Sequence, residues 1–204
     1  MTEPAEDVGR VSQILAVAAE LFASKGFEAT SIRDIAEGVG ISKPTIYHYF
    51  TDKSALYIRI IVTGAEQLCR FTEQKTAGHA TPAARFRAFV EGHAQYFAEN
   101  RVFYVAANFG FAGLRDQRGR AQVIKWRDRH EANLRRVIQE GLDSGEFAGV
   151  SAPILSRAVL SCLTGMARRH REDGALSAGD VARLFSDLFL NGALRRGARA
   201  ASRA

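Results

Sequence analysis

The chain has 204 residues, 47% of them hydrophobic and 25% charged, with four Pro and two Cys. That is long enough to bury a sizeable core, and it excludes a disordered chain, a collagen-like repeat, a disulfide scaffold and a multi-Cys zinc module. The net charge is +6, yet residues 1–60 carry six Lys/Arg against eight Asp/Glu, so any nucleic-acid contact there has to come from a local cluster rather than bulk charge.

In chain order, residues 1–7 are acidic and lack an apolar stretch, so no secretory leader is expected. Val11, Ile14, Leu15, Ala18, Leu21 and Phe22 recur at helical spacing and predict a first helix over about 8–24, with Gly26 as its stop. Ser31 with Asp34 three residues on predicts a capping box opening a second helix to Val39, which Gly40 ends. Ser42 is the expected N-cap of a short third helix, with Pro44 in its first turn. Thr51 and Asp52 open a long fourth helix running into the Phe71 region, and 76–81 reads as a loop. Thr81-Pro82 opens the next helix, carrying Phe86, Phe89, Val90, His93 and Phe97. Gly110, Gly113 and Gly119 are expected to break up the next region. A long helix is expected over about 122–143, and another runs from Pro153 to Asp173-Gly174. A second capping box, Ser177 with Asp180, opens the last helix. No run alternates with period two, and no stretch of 18 apolar residues occurs. The reading is all-α, about nine helices, in a soluble protein of the reducing cytoplasm with no membrane partner.

Residues 31–50, SIRDIAEGVGISKPTIYHYF, have the form of a helix-turn-helix, two short helices joined by a tight turn at Gly40. Ile32, Ile35, Ala36, Val39, Ile41 and Ile46 lock the pair. The third helix then offers Lys43, Thr45, Tyr47, His48 and Tyr49, donors and flat rings suited to a major groove. Lys53 is placed for a backbone phosphate, and Arg33 for a guanine edge. The bland alternative is a helical hairpin whose tyrosines pad a core.

The block ATSIRDIAEGVGISKPTIYHYFTDKSAL, Ala29 to Leu56, resembles the DNA-binding signature of the tetracycline-repressor (TetR) family: T-S-x-R-D-I-A, G-x-S, T-x-Y-x-Y-F and K-x-x-L at matching spacings. The resemblance implies a helix-turn-helix DNA-binding domain over 8–54, a ligand-binding and dimerisation domain over 55–196, and a basic tail over 197–204 expected to be disordered. It implies a homodimer on a near-palindromic double-stranded operator, most often repressing and released by a small molecule. Arg33, Lys43, Thr45 and Tyr47 become base or near-base contacts; Ser31, His48, Tyr49 and Lys53 become phosphate contacts; Pro44 shapes the front of the recognition helix; the fourth helix becomes the lever. The alternative function is a helical small-molecule-binding protein without sequence-specific DNA binding.

The middle of the chain concentrates Phe86, Phe89, Tyr96, Phe97, Phe103, Tyr104, Phe109, Phe111 and Trp126, with His93, Asn108 and His130 interleaved. The set reads either as an apolar effector cavity or as a well-filled core. Ala158, Ser161, Cys162, Gly165 and Met166, with Leu184, Phe185, Leu188 and Phe189, suit an intersubunit four-helix bundle or the chain's own core; the resemblance favours the dimer. Residues 165–194 further resemble the C-terminal end of family members that sense acyl-CoA thioesters. Arg168, Arg169, His170 and Arg171 would meet the coenzyme phosphates, beside Met166, or else form a solvated basic helix end. No enzyme is expected: the sequence has no H-E-x-x-H, P-loop, strand-following G-x-G-x-x-G or G-x-S-x-G. No cofactor or metal is called for, because the five His are scattered and neither Cys has a C-x-x-C partner.

Overall fold

The computed structural model describes residues 4–109, 116–171 and 174–193, with side chains over 7–108, 116–171 and 174–191. Within them the elements are α1 (Pro4–Lys25), α2 (Ile32–Val39), α3 (Lys43–Tyr49), α4 (Lys53–Thr76), α5 (Pro82–Glu99), α6 (Arg101–Phe109), α7 (Gln117–Asp143), α8 (Ala152–Arg169) and α9 (Ala178–Ala193). The all-α expectation and the nine helices hold over this range. The Phe109 side chain, Phe111, Gly110, Gly113, Asp173 and the tail with Arg195, Arg196, Arg199 and Arg203 lie outside the described residues.

Several boundaries need correction. α1 starts at Pro4, ahead of the expected 8. An extra helix, α6, occupies 101–109. α7 begins at Gln117 rather than 122 and contains Gly119, expected as a breaker. Its physical role is close approach: a Cβ at Gly119 would sit 2.5 Å from Ile58 Cγ2 on α4. α8 stops at Arg169, four residues early, because His170 is extended and caps it by donating its N–H to Met166 O.

The chain divides into two compact units. One comprises residues 1–66 and 101–125, the other 67–100 and 126–204. The first is built around Ile14, Leu15, Ala18, Phe22, Ile35, Ile46, Leu56 and Ile60, all buried, where α1 to α4 meet; Val102, Phe103 and Ala106 of α6 pack against this cluster. Phe22, Phe27 and Tyr57 form an aromatic knot, with Tyr57 edge-on to Phe22 at 5.4 Å. The second unit packs α5, α8 and α9 with parts of α4 and α7. α9 turns Ala178, Ala182, Ser186 and Leu190 inward at four-residue steps, while Leu184 and Leu188 on its other side are 56% and 67% exposed. α8 behaves alike: Leu155, Val159 and Leu163 are buried, Ile154 is 70% exposed, and Ala158, Ser161 and Gly165 share the open side. Cys162 is half-buried, and Met166 belongs to the buried side. Among the described residues no helix is long and apolar enough to cross a membrane.

Candidate nucleic-acid interface

The capping box on α2 forms as expected. Asp34 N donates to Ser31 Oγ at 3.1 Å, and Ser31 N donates to Asp34 Oδ2 at 2.8 Å. These bonds from Ser31 hold the Asp34 carboxyl below its ordinary range. The Ser31 hydroxyl also donates to Asp34 Oδ2, at 2.9 Å, so it is exposed but already engaged. Gly40 then turns the chain. Its φ of 74° is left-handed, and its N–H is shared between Ala36 O and Glu37 O. Ile41 N donates to Ala36 O at 3.0 Å, completing the C-cap.

On α3, Ser42 is the N-cap, receiving Thr45 N, and its hydroxyl lies 2.8 Å from Thr45 Oγ1. Ile46 is fully buried and anchors the helix to α1 and α2. One side of the helix therefore faces inward, and Lys43, Pro44, Tyr47 and His48 stand together on the other, all exposed. Tyr47 keeps 52% of its surface open, an unusual cost for a ring with no core to fill. No acidic residue occurs between Ile41 and Thr51. Thr45 and Tyr49 are half-buried at the edges of this face. The Tyr49 hydroxyl donates to Asp7 Oδ1 at 2.8 Å, which raises its pKa, and its ring stands edge-on to His48. Arg33 extends from α2 and pairs with Glu37 at 2.7 Å; both are exposed, so the pair is screened and easily exchanged.

Lys53 has partners within the chain itself. Its ammonium donates to the carbonyls of Phe27 (2.7 Å), Thr30 (3.0 Å) and Glu28 (3.3 Å), and lies 4.4 Å from the Phe27 ring centroid. An ammonium has three hydrogens, and all three are used. Lys53 is thus a latch between the α1–α2 turn and the start of α4; a phosphate contact would require one of these bonds to be given up. Nothing in the spacing of Lys53 distinguishes a latch from a phosphate ligand.

The residues expected around an effector fall into groups. Tyr104 and Asn108 belong to the first unit, where Asn108 Nδ2 donates to Tyr104 O along α6. In the second, Phe89, His93 and His130 come together. His93 Nδ1 lies 3.1 Å from His130 Nε2, His130 Nδ1 lies 3.2 Å from Thr72 Oγ1, and Phe89 stacks on His130 at 4.8 Å. Thr72 was invisible as a partner in the sequence. Burial lowers His130 to about 4 and His93 well below its ordinary value, so both rings are neutral at pH 7. These two histidines read as a satisfied core network. Phe97 is buried and meets the His170 ring edge-on at 5.5 Å. Trp126 is half-buried between the guanidiniums of Arg70 and Arg129, 5.2 and 5.4 Å from its ring. Burial and the neighbouring Glu73 push the Cys69 thiol up to about 12, so it stays protonated. Among the described residues no three His, Cys, Asp or Glu converge as metal ligands.

Met166, Arg168 and Arg169 lie elsewhere in the second unit. They line a groove of about 1100 Å³ with Arg157, His170, Arg171, Leu176 and Phe185. The groove combines four guanidiniums, of which Arg157 pairs with Glu131 at 3.3 Å, with apolar walls.

Comparison with known proteins identifies two family segments; the second includes residues 101–125, which pack with the first compact unit. Residues 14–60 match the family model for bacterial regulatory proteins of the tetR family, and residues 79–193 match that for the tetracyclin repressor-like C-terminal domain. The TetR-family transcriptional regulator PfmR from Thermus thermophilus is 40% identical, with a TM-score of 0.80 over 89% of this chain and 99% of its own. The HTH-type transcriptional repressor KstR2 of Mycolicibacterium smegmatis is 25% identical over 201 residues, 93% of each chain. AibR, solved in complex with isovaleryl coenzyme A and operator DNA, shares the fold at 20% identity, with a TM-score of 0.78 over 88% of this chain and 97% of its own.

Proposed function

The chain belongs to the tetracycline-repressor family of transcriptional regulators, and from that premise we propose that it is a ligand-released repressor acting as a homodimer on a near-palindromic operator. It is a regulator and not an enzyme, as its relatives are. The observation that carries the DNA reading is the outward face of α3. Lys43, Pro44, Tyr47 and His48 stand exposed on a helix whose opposite side is pinned by Ile46. A rigid helix with donors and a ring held in water is suited to the major groove, where base edges replace that water. Arg33, Thr45 and Tyr49 flank the face, and the N-cap Ser31 sits where a phosphate oxygen can exchange for Asp34.

The dimer reading rests on the open sides of α8 and α9. Ile154, Leu184 and Leu188 are large, apolar and exposed, and Ala158, Ser161 and Gly165 on the open side of α8 allow close helix approach; Ser161 and Gly165 also line the basic groove, so the two surfaces are continuous. A second copy of the chain offers the same surface in reverse, as a two-fold interface requires. α4 contributes residues to both compact units, which fits the lever role the family gives it.

The effector is read as an acyl-CoA thioester, with its phosphates on Arg168 and Arg169 in the basic groove. Support comes from the groove's four arginines beside Phe185 and Met166, and from AibR having been solved with an acyl coenzyme A. The test is selection of bound duplexes from a random-sequence library, followed by titration of isovaleryl-CoA and hexanoyl-CoA against the selected complex. Enrichment of an inverted repeat, released by a thioester but not by free coenzyme A, supports the whole reading. A library that returns no motif supports the alternative, a helical ligand-binding protein that does not read DNA.

A further inference from the structure

The start of α1 brings an acid to the edge of the face that α3 offers. Tyr49 closes α3, and its hydroxyl donates to Asp7 Oδ1 at 2.8 Å in a bond that is open to solvent. Hydrogen bonding to Asp7 raises the pKa of the phenol, so the shared hydrogen stays on the Tyr49 oxygen. We propose that Asp7 occupies the place of a backbone phosphate on Tyr49 and that DNA must displace it, so that the reading head carries an acid that lowers its grip on any duplex. The inference rests on the DNA-binding reading of α3.

A phenol has one hydrogen to donate. A phosphate diester brings only acceptors, so that hydrogen serves the carboxylate or the phosphate and not both. Nor can the two anions share the phenol side by side. Two hydrogen bonds of ordinary length would hold them within about 5 Å of each other, where like charges repel. The other groups at this edge act the opposite way. His48 stands edge-on to Tyr49, with ring centroids 5.0 Å apart, and carries ring N–H donor capacity. Arg10 lies close enough to lower the pKa of Tyr49 by its charge, is exposed, and donates to the neutral Gln13 Oε1 at 3.2 Å. Asp7 therefore opposes a phosphate where Arg10 and His48 favour one.

The sequence of the head shows the same balance. Residues 1–60 carry six Lys/Arg against eight Asp/Glu, but Glu3, Glu6 and Asp7 supply three of those acids, and residues 8–60 carry six against five. The first seven residues thus turn a net charge of +1 into −2. Attraction to the phosphate backbone grows with positive charge whatever the base sequence. Lowering it weakens the hold on all duplexes and leaves the choice among them to base contacts. A bond that only stiffened the head would have the opposite signature, because its removal would weaken DNA binding rather than strengthen it.

The test uses full-length protein without effector. The unaltered chain and Asp7→Ala are titrated by fluorescence anisotropy against a labelled random-sequence duplex of about 20 base pairs, and against a selected duplex, from about 50 to 200 mM salt. Asp7→Ala is expected to bind both about three- to tenfold tighter at the low-salt end. Its log–log salt slope should be steeper by about 0.9, the equivalent of one phosphate. In the Tyr49→Phe background neither anion has a hydroxyl to use, and the gain from Asp7→Ala should fall below about twofold. Glu20→Ala removes an exposed acid about 20 Å farther along α1 and should change affinity by less than about twofold. Unchanged or weaker binding by Asp7→Ala, an equal gain from Glu20→Ala, or an undiminished gain in the Tyr49→Phe background would each overturn the proposal. If Asp7→Ala does not fold, Asp7→Asn, which keeps a neutral acceptor for the phenol, is used with the same sign expected. A selection that returns no motif defeats the operator reading alone, since the random duplex still reads a contact that carries no sequence. Failure of both the unaltered protein and the variant to bind the random duplex overturns both.

Discussion

At the scale of single residues, Tyr47 and Lys53 differ in what they leave open to a partner. Tyr47 is 52% exposed, whereas Lys53 is spent on three carbonyls. Tyr47→Ala is expected to abolish specific operator binding, in a titration against selected and scrambled duplexes, while circular dichroism and the melting curve stay unchanged. Lys53→Met is expected to do the reverse first: it leaves three carbonyls of the α1–α2 turn without their donor. The loss should be about 1–3 kcal/mol of stability, read by chemical denaturation. The motif spacing put both residues in one interface, because a sequence shows that a lysine follows the recognition helix but not which acceptors lie within its reach. Conversely, the exposure of Lys43, Tyr47 and His48 was legible. Ile46 fixes the inward side of a seven-residue helix, and the outward positions follow from helical geometry.

At the scale of elements, caps were the most legible feature. Ser31 with Asp34, Gly40, Ser42, Thr81-Pro82 and Ser177 with Asp180 all occupy the predicted roles, because each satisfies backbone groups within a few residues of itself. Elements set by long-range packing were harder. Gly119 looks like a breaker locally, but its missing side chain makes room for Ile58, 61 residues earlier in the chain. The helices α4, α5 and α7 bring Thr72, His93 and His130 into one buried chain that no short-range pattern announces. That chain makes stability depend on pH. Both histidines have pKa values depressed below the ordinary 6.5, His130 to about 4, so the unfolded state binds more protons between those limits. Their contribution is fully present above about pH 6.5 and is lost as pH falls toward 4. Denaturation midpoints measured across this window should fall on acidification, and His130→Phe should shrink the slope, since the Thr72 hydroxyl keeps the carbonyls of Leu68 and Cys69, each at 3.0 Å.

At the scale of the whole molecule, the chain carries an exposed α3 face proposed to read the operator, an open apolar side of α8 and α9 proposed to pair with a second copy, and a basic groove. The groove was legible only as a run of basic residues, Arg168 to Arg171. Its walls come from Arg157 on an earlier turn of α8, Glu131 on α7 and Phe185 on α9. Arg168→Ala is expected to raise the acyl-CoA concentration needed to release DNA by roughly tenfold or more, the scale of a lost charge-assisted contact. Affinity for the operator without effector should not change. Titrating the variant against the selected duplex with and without the thioester checks both.

The proposed dimer requires two copies of α3 to read two half-sites in the major groove. Hydroxyl-radical and methylation footprinting of the unaltered protein on a selected duplex examines that geometry itself. The expected footprint is two symmetric protected patches on one face of the DNA, centred about one helical turn apart, roughly 34–36 Å, with major-groove guanines shielded in each. A single patch, protection without sequence register, or shielding confined to the minor groove would contradict it.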